Sequence, residues 1–292
     1  MSHFSRIGVV SRVDSPEAVR TAVELVDWLG RRGCTAALDE ETALAGGHPP
    51  PYFVPEEGWD LVIALGGDGT LLAAARGLGG GAPILGVNLG RLGFLTEVSR
   101  SELYPVLVRI LDGEYSLEER SLLAVTLTRA EGGSTSHRVL NDAVVGKSVL
   151  SRIIDLAVST AGGPLARFRA DGLIVSTPTG STAYNLSAGG PILDPSLPVM
   201  VLTPICPHTL TLRPLVVPDT TWIEVRLESR ADEVFLTFDG REGTQLAQHD
   251  RVRIERAPER VRLVRVRRRS FFDNLREKLR WGGLEDGKGR LV

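Results

Sequence analysis

The sequence predicts an α/β fold: a Rossmann-like N-terminal domain, then a mostly β C-terminal domain, with the C-terminal helix returning to the first domain. Three observations carry this. Up to about residue 120, apolar strand-like runs alternate with helical patterns, which calls for a parallel sheet with helices on its faces. From about Ser121 the texture changes to closely spaced strand-like runs with few helical stretches. The segment Asn274 to Arg280 is then helical again. The boundaries expected are 1–120 together with 267–292 for the α/β domain, and 121–266 for the β-rich one. A chain of 292 residues, 42% hydrophobic, is long enough for one large or two ordinary cores.

Each element has its own signal. Ile7 to Val10 is a strand. Ser15-Pro16-Glu17 starts a helix, with Ser as N-cap and Pro in the first turn. Val19, Ala22, Val26 and Leu29 give that helix one apolar face, and Gly30 and Gly33 end it. Ala45 to Pro51 is a loop by composition. Asp60 to Leu65 is apolar on both faces, as in a buried parallel strand, and Leu71 to Ala75 is helical. Gly77 to Gly81 is a second loop, Pro83 to Val87 a short buried strand, and Ser101 to Leu111 a helix. In the second half the strand-like runs are Leu122–Leu127, Val139–Val145, Ile153–Thr160, Trp222–Leu227, Val234–Phe238, Val252–Ile254 and Val261–Val266. Gly132-Gly133 and Asp239-Gly240 are hairpin-type turns.

Composition removes several functional classes. Net charge is −2, which gives no electrostatic case for nucleic acid or a membrane surface. The arginines from Arg251 to Arg280 alternate with apolar residues, as on the wet face of a strand, without interleaved aromatics for base stacking; a subunit interface suits them better. No stretch approaches a membrane span, and Met1 to Arg6 leads into a strand without a signal-peptide core, so a cytoplasmic location is expected. Only Cys34 and Cys206 occur, without metal-ligand spacing, so no residues are assigned to a metal. Cys206 reads as a packed thiol.

The chemistry concentrates in Leu61-Val62-Ile63-Ala64-Leu65-Gly66-Gly67-Asp68-Gly69-Thr70. A strand that breaks through glycines into a helix offers free N–H groups at the carboxyl edge of a sheet, where anions bind. Gly66, Gly67, Gly69 and Thr70 are the phosphate-binding candidates, and Asp68 is an acid or base held beside phosphate; a tight turn with a capping Asp is the plainer alternative. The third glycine of the dinucleotide fingerprint is missing. Gly146-Lys147-Ser148 lacks the front glycine of a Walker A loop, because Asn141 stands there, and reads as a surface turn. Asn141-Asp142 is a candidate pair at a strand end, or a turn. Thr177 to Thr182 is a hydroxyl-bearing loop that can bond phosphate, ribose or base edges, or cap a helix, and Tyr184 offers a ring for stacking.

The Gly-Gly-Asp-Gly-Thr loop resembles the signature shared by NAD kinases, lipid kinases and phosphofructokinases. Asp171 to Asn185 resembles the long signature of the NAD kinases in particular, as do Asn88 to Leu95, Asn141-Asp142, Thr203 to His208 and the tail Ser270 to Trp281. The resemblance implies transfer of the terminal phosphoryl group of ATP, or another donor, to the 2′-hydroxyl of the adenosine ribose of NAD, giving NADP, with a divalent cation such as Mg²⁺. It implies that Asp68 is the base on that hydroxyl. It also implies that Asp68, Gly69, Phe94, Asn141, Asp142, Asp171, Thr182, Ala183, Tyr184 and Ser187 line the NAD site. Asn141 and Asp142 would hold adenosine and ribose, Asp171 would face the nicotinamide end, and Phe94 would wall the adenine. Asp142 stands where many relatives carry Glu, one methylene shorter. Arg169 is a candidate for substrate phosphate or a subunit contact, and His208 for a buried structural residue or a ligand. A homodimer or homotetramer that shares the NAD site between subunits is implied as well. The alternatives are a lipid or sugar kinase of the same superfamily, whose members lack the Asp171–Asn185 signature, or a protein that senses NAD(P) without turnover.

Overall fold

A computed structural model describes residues 4–90, 93–148, 151–230, 233–266 and 270–280. Arg91, Leu92, Arg267 and Trp281, which belong to segments singled out above, lie outside the described residues.

The first half runs β1 (Arg6–Ser11), α1 (Pro16–Gly30), β2 (Thr35–Leu38), α2 (Glu40–Gly46), β3 (Leu61–Gly66), α3 (Asp68–Leu78), β4 (Ile84–Asn88), β5 (Val98–Ser99) and α4 (Leu103–Leu111). Strands β2, β1, β3 and β4 pair in that order, all parallel. Parallel strands need both faces covered. Helices α1 and α4 cover one face through Leu25, Leu29, Leu103 and Leu107, each fully buried against Ile7, Ile63 and Leu65. Helix α3 covers the other through Leu71, Leu72 and Ala75. Ser15 caps α1 by accepting from the Ala18 N–H, and Pro16 occupies the first turn, as the sequence predicts. Helix α2 takes up Ala45 and Gly46, which the sequence reading assigned to a loop; left-handed Gly47 (φ 64°) ends it.

The second half is almost entirely β: β6 (Ser116–Thr128), β7 (Ser134–Val139), β8 (Asp142–Lys147), β9 (Ile154–Thr160), β10 (Gly163–Ala170), β11 (Gly172–Ser176), β12 (Val199–Ile205), β13 (Leu215–Pro218), β14 (Trp222–Leu227), β15 (Val234–Phe238), β16 (Arg241–Leu246) and β17 (Arg251–Arg265). Its one α-helix among the described residues is the short α5 (Tyr184–Ser187), and α6 (Phe271–Leu279) is the last described element. Strands β13, β12, β11, β8, β15 and β16 form an antiparallel sheet. The remaining strands extend the parallel sheet: β17 joins β4 at Leu263–Ile84 and carries β14, β9 and β10 beyond it. The two sheets face each other over Leu123, Val125, Val145, Leu156, Val175 and Val225.

Two readings need correction. Val139–Val145 is not one strand: the chain leaves β7 at Val139 and enters β8, in the other sheet, at Asp142. Asn141-Asp142 therefore sits at a crossing between sheets and opens a strand. Conversely, Val252–Ile254 and Val261–Val266 belong to one strand, β17, irregular between Arg256 and Arg260. Its arginines are not all on a wet face: Arg265 is 8% exposed and bonded to Glu97 at 2.9 Å and Glu118 at 2.6 Å. Both hairpin turns are present, with positive φ at Gly132, Gly133, Asp239 and Gly240.

Candidate functional site

Strand β3 is buried along its whole length and ends at Gly66. Gly67 is the N-cap of α3, extended at φ −150°, and Asp68 is already the first helical residue. The helix thus begins three residues earlier than Leu71, and the glycine turn is one residue wide. The first amides of a helix have no acceptor inside it, and its dipole favours negative charge there. None of Gly66, Gly67 and Gly69 has a positive φ, so conformation does not select glycine there. A Cβ on Gly66 would collide with the Thr70 hydroxyl, and one on Gly69 would meet Arg241 Nη2 at 3.1 Å. Gly67 has nothing within 4 Å, so its backbone is open to a ligand.

The Asp68 carboxylate accepts four hydrogen bonds. Oδ2 takes the Phe94 N–H at 2.6 Å; Oδ1 takes the N–H groups of Leu95 and Thr96 at 3.1 Å and the Thr96 hydroxyl at 2.9 Å. Gly93 has to be glycine, because a Cβ there would overlap this carboxylate. Asp68 and the segment Phe94–Thr96 therefore form one unit, which explains why both motifs occur in one chain.

Asn141 and Asp142 are held by Asp239, at the tip of the β15–β16 hairpin. Asp239 Oδ1 accepts the N–H of Asn141 at 2.7 Å and of Asp142 at 3.3 Å, and Oδ2 accepts the Leu140 N–H at 3.2 Å. Arg76 of α3 reaches the same carboxylate at 3.4 Å. The helix that starts at Asp68 is thus tied to the Asn141-Asp142 crossing through a buried ion pair. Asp142 is 2% exposed, and burial together with the neighbouring Asp239 carboxylate pushes it up to about 7. Burial also raises Asp239, against the backbone donors and Arg76.

The Asp171–Asn185 segment runs through β11 into a 3-10 turn, Thr179–Thr182, and then α5. Most of its hydroxyls serve the chain itself. Thr177 donates to the Leu140 carbonyl at 2.6 Å, and Ser181 donates to Pro178 and accepts from Leu193. Asn185 is buried, donates to Ser181 and Pro191, and accepts from Thr203 at 2.6 Å. This turn lies directly on the other motif: a Cβ on Gly180 would overlap the Asn141 backbone. Tyr184 is 48% exposed, and its ring is available for stacking.

Two cavities take in part of this set, and neither is lined by Asp68, Asn141 or Asp142. One of about 560 Å³ is lined by Phe94, Leu95, Thr179, Thr182, Arg120 and Phe271, among others. The second, about 540 Å³, holds Lys147, Asp171, Tyr184 and Thr237. Lys147 pairs with Asp171 at 3.5 Å, as the last residue of β8 and not in a phosphate loop. Arg169 lines neither; it is exposed on β10 and pairs with Asp155 at 2.9 Å. Ala183 and Ser187 flank Tyr184, with Ser187 exposed. Cys206 is exposed in the left-handed region (φ 45°), so it is not a packed thiol. His208 is exposed too, which removes the buried structural reading. Its N–H donates to the Arg169 carbonyl at 2.9 Å.

Sequence reasoning missed four charged residues around Asp68. Asp239 is read from the sequence only as a turn former, and Arg76 and Arg241 are not singled out at all. Lys278, on α6, places its ammonium 4.3 Å from the centre of the Phe94 ring. Burial lowers Lys278, while the nearby Asp68, Glu277 and Glu97 oppose that shift. The pairing of a tail segment with a distant glycine loop carries no signal in a single sequence. Helix α6 thus returns to the first half, as expected, capped by Ser270 and Asp273 on each other's backbone N–H.

Residues 53–115 match the family described as ATP-NAD kinase N-terminal domain, and residues 140–266 the ATP-NAD kinase C-terminal domain. The chain is 48% identical over 285 residues to an NAD kinase of Geotalea daltonii, covering 96% of this chain and 99% of that one. It is 47% identical over 284 residues to an NAD kinase of Geobacter sulfurreducens, with the same coverage. Among solved structures, an Archaeoglobus fulgidus NAD kinase in complex with ATP superposes with a TM-score of 0.73 at 28% identity, over 94% of this chain and 98% of that one. Yeast NADH kinase complexed with NADH shares the fold, with a TM-score of 0.88 at 24% identity over 97% and 89% of the two chains. With two adjacent family matches and near-complete coverage by relatives close to half identical, the chain belongs to the NAD kinase family.

Proposed function

We propose that this chain phosphorylates the 2′-hydroxyl of the adenosine ribose of NAD, with ATP as donor, to give NADP and ADP. The observation that carries the reading is the arrangement around Asp68. A carboxylate stands at the N-terminus of α3, on the carboxyl edge of a parallel sheet, and α3 is bonded through Arg76 and Asp239 to the Asn141-Asp142 crossing. Phosphoryl transfer needs a held donor, an in-line acceptor and a base on the acceptor hydroxyl. Gly67 and Gly69 offer the backbone and Thr70 its hydroxyl for the donor phosphates, and Asn141, Asp142 and Thr182 the polar groups for adenosine and its ribose. Tyr184, flanked by Ala183 and Ser187, supplies the stacking ring, Phe94 an apolar wall, and Asp171 a carboxylate for the nicotinamide end.

Asp68 is the base. A carboxylate has about four acceptor positions, and segment 94–96 fills all four here. Accepting the ribose hydroxyl therefore requires that this segment release at least one bond. Mg²⁺ enters with the donor as Mg-ATP and neutralises its phosphates when bound. Such ions use few protein ligands and are held largely by the substrate phosphates. Residues 1–120 with 267–292 form the donor-side unit, and 121–266 the acceptor-side unit. A second copy, in a homodimer or homotetramer, completes the dinucleotide site at the edge that carries Arg169 and His208. No described helix is long and apolar enough to cross a membrane, and a cytoplasmic location is part of this reading.

The test is a substrate panel: purified chain with Mg-ATP or Mg-polyphosphate, against NAD, NADH, a diacylglycerol and a sugar phosphate. The expected result is NADP formed from NAD and no phosphorylated lipid or sugar. Lipid or sugar product without NADP would support the superfamily alternative, and NAD binding without turnover would support a sensing role.

A further inference from the structure

The β15–β16 hairpin does two things at one turn. Asp239 holds the Asn141-Asp142 crossing, and two residues later Arg241 projects over Gly69. The turn is fixed in place: Asp239 is buried, accepts three backbone N–H groups and is paired with Arg76 of α3. Backbone at Asp239 and Gly240 is left-handed, the geometry of a tight hairpin. Arg241 therefore leaves a rigid turn toward the start of α3, where its Nη2 would lie 3.1 Å from a Cβ on Gly69. Among the described residues its guanidinium has no ion-pair partner, and it is exposed. The neighbouring cations differ in this respect: Arg76 pairs with Asp239, Arg138 with Glu259, and Arg12, on the Gly66 side of the turn, with Asp14 at 2.9 Å.

We propose that Arg241 is a donor-phosphate ligand: its guanidinium binds the polyphosphate chain of the phosphoryl donor over Gly69, opposite the backbone N–H groups of the α3 N-terminus. The inference rests on the kinase reading above and adds a residue to it. An arginine fork can bind two phosphate oxygens at once, and a cation on the transferring group stabilises the charge that spreads over it in phosphoryl transfer. The bare Gly69 backbone leaves room for the guanidinium to sit close over the turn. Because the hairpin also holds Asn141 and Asp142, one rigid turn would set the donor phosphates in register with the acceptor ribose.

The test compares wild type, Arg241→Ala, Arg241→Gln and Arg241→Lys in the full-length chain. Steady-state kinetics with Mg-ATP and NAD varied separately are run beside calorimetric titration of inorganic triphosphate and of NAD. For Arg241→Ala and Arg241→Gln the expected result is a KM for ATP raised at least tenfold and triphosphate binding weakened at least tenfold. The dissociation constant for NAD and the melting temperature should stay near wild type. Arg241→Lys should recover part of the triphosphate binding, since it keeps the charge and loses the fork. Unchanged KM for ATP and unchanged triphosphate binding in a folded Arg241→Ala would overturn the proposal, as would equal weakening of NAD and triphosphate. If wild type makes no NADP, the kinase reading itself fails; if wild type is active and the variants match it, only the role of Arg241 fails.

Discussion

Under the proposed function Asp68 combines two jobs on one carboxylate: it is the proposed base, and it anchors the segment Phe94–Thr96 through four hydrogen bonds. This changes what Asp68→Asn should do to stability. From the sequence, the turn geometry depends on its glycines and the variant stays folded. In the structure, an amide nitrogen would face backbone N–H donors that need an acceptor. Leaving one such donor unsatisfied costs about 1–3 kcal/mol, so a lower melting temperature is expected, read by a thermal melt with and without NAD. Asp142 gives a second residue-scale expectation. Its ordinary value is 3.8 and folding pushes it up to about 7. The folded chain thus keeps a proton that the unfolded chain releases, and this contribution to stability is complete below about pH 4 and lost as pH rises through 7. Asp142→Asn, shaped alike but uncharged, should match wild type at pH 4 and exceed it at pH 8 by about 2–4 kcal/mol, at ~1.4 kcal/mol per pKa unit. Urea titrations at both pH values check this, and a gain that is the same at both would contradict it.

At the scale of elements, the site depends on turns that cannot accept a side chain. Gly180 lies against the Asn141 backbone. Gly180→Ala should force the Thr179–Thr182 turn off the Asn141-Asp142 crossing, at a cost of about 1–3 kcal/mol as in other overpacked sites. The KM for NAD should rise with the KM for ATP little changed, and steady-state kinetics read both; a rise confined to ATP would contradict the placement. Elements whose signal is local were legible from sequence. The Ser15-Pro16 start of α1, the buried β3 and the Asp239-Gly240 turn are all found where their residues predict. Elements defined by a distant partner were not. The Leu140-Asn141 break between β7 and β8 is held by Asp239, which lies about a hundred residues away; the polar Asn141-Asp142 pair marks the spot, but nothing local says that the chain changes sheets there. Strands β10, β12 and β13 escaped as well, because β10 and β13 are edge strands with exposed or mixed faces.

The whole molecule is joined by β17, which pairs with β6 along its length and touches the parallel sheet at β4. Arg265, near its end, bonds the Leu95 carbonyl, Glu97 and Glu118 while 8% exposed. Removing it breaks a buried ion pair with Glu97. Arg265→Ala should cost about 3–5 kcal/mol, measured by urea denaturation, whereas an exposed pair such as Arg253–Glu255 should cost under about 1 kcal/mol. The distribution of the site over the chain also limits what a sequence can reveal. Asp68, Asn141 and Tyr184 stand within recognisable motifs, but Arg76, Asp239, Arg241 and Lys278 acquire meaning only when β15–β16 and α6 fold back onto α3. The proposed activity depends on Asp68 as the base for phosphoryl transfer to NAD. The measurement that tests it most directly is turnover of Asp68→Asn with saturating Mg-ATP and NAD, beside the NAD dissociation constant of the same protein. A fall in turnover of about 10²–10⁴-fold, with a much smaller loss of NAD affinity, is the predicted result. Turnover near wild type in Asp68→Asn would contradict the account and leave the glycine turn a phosphate-binding element only.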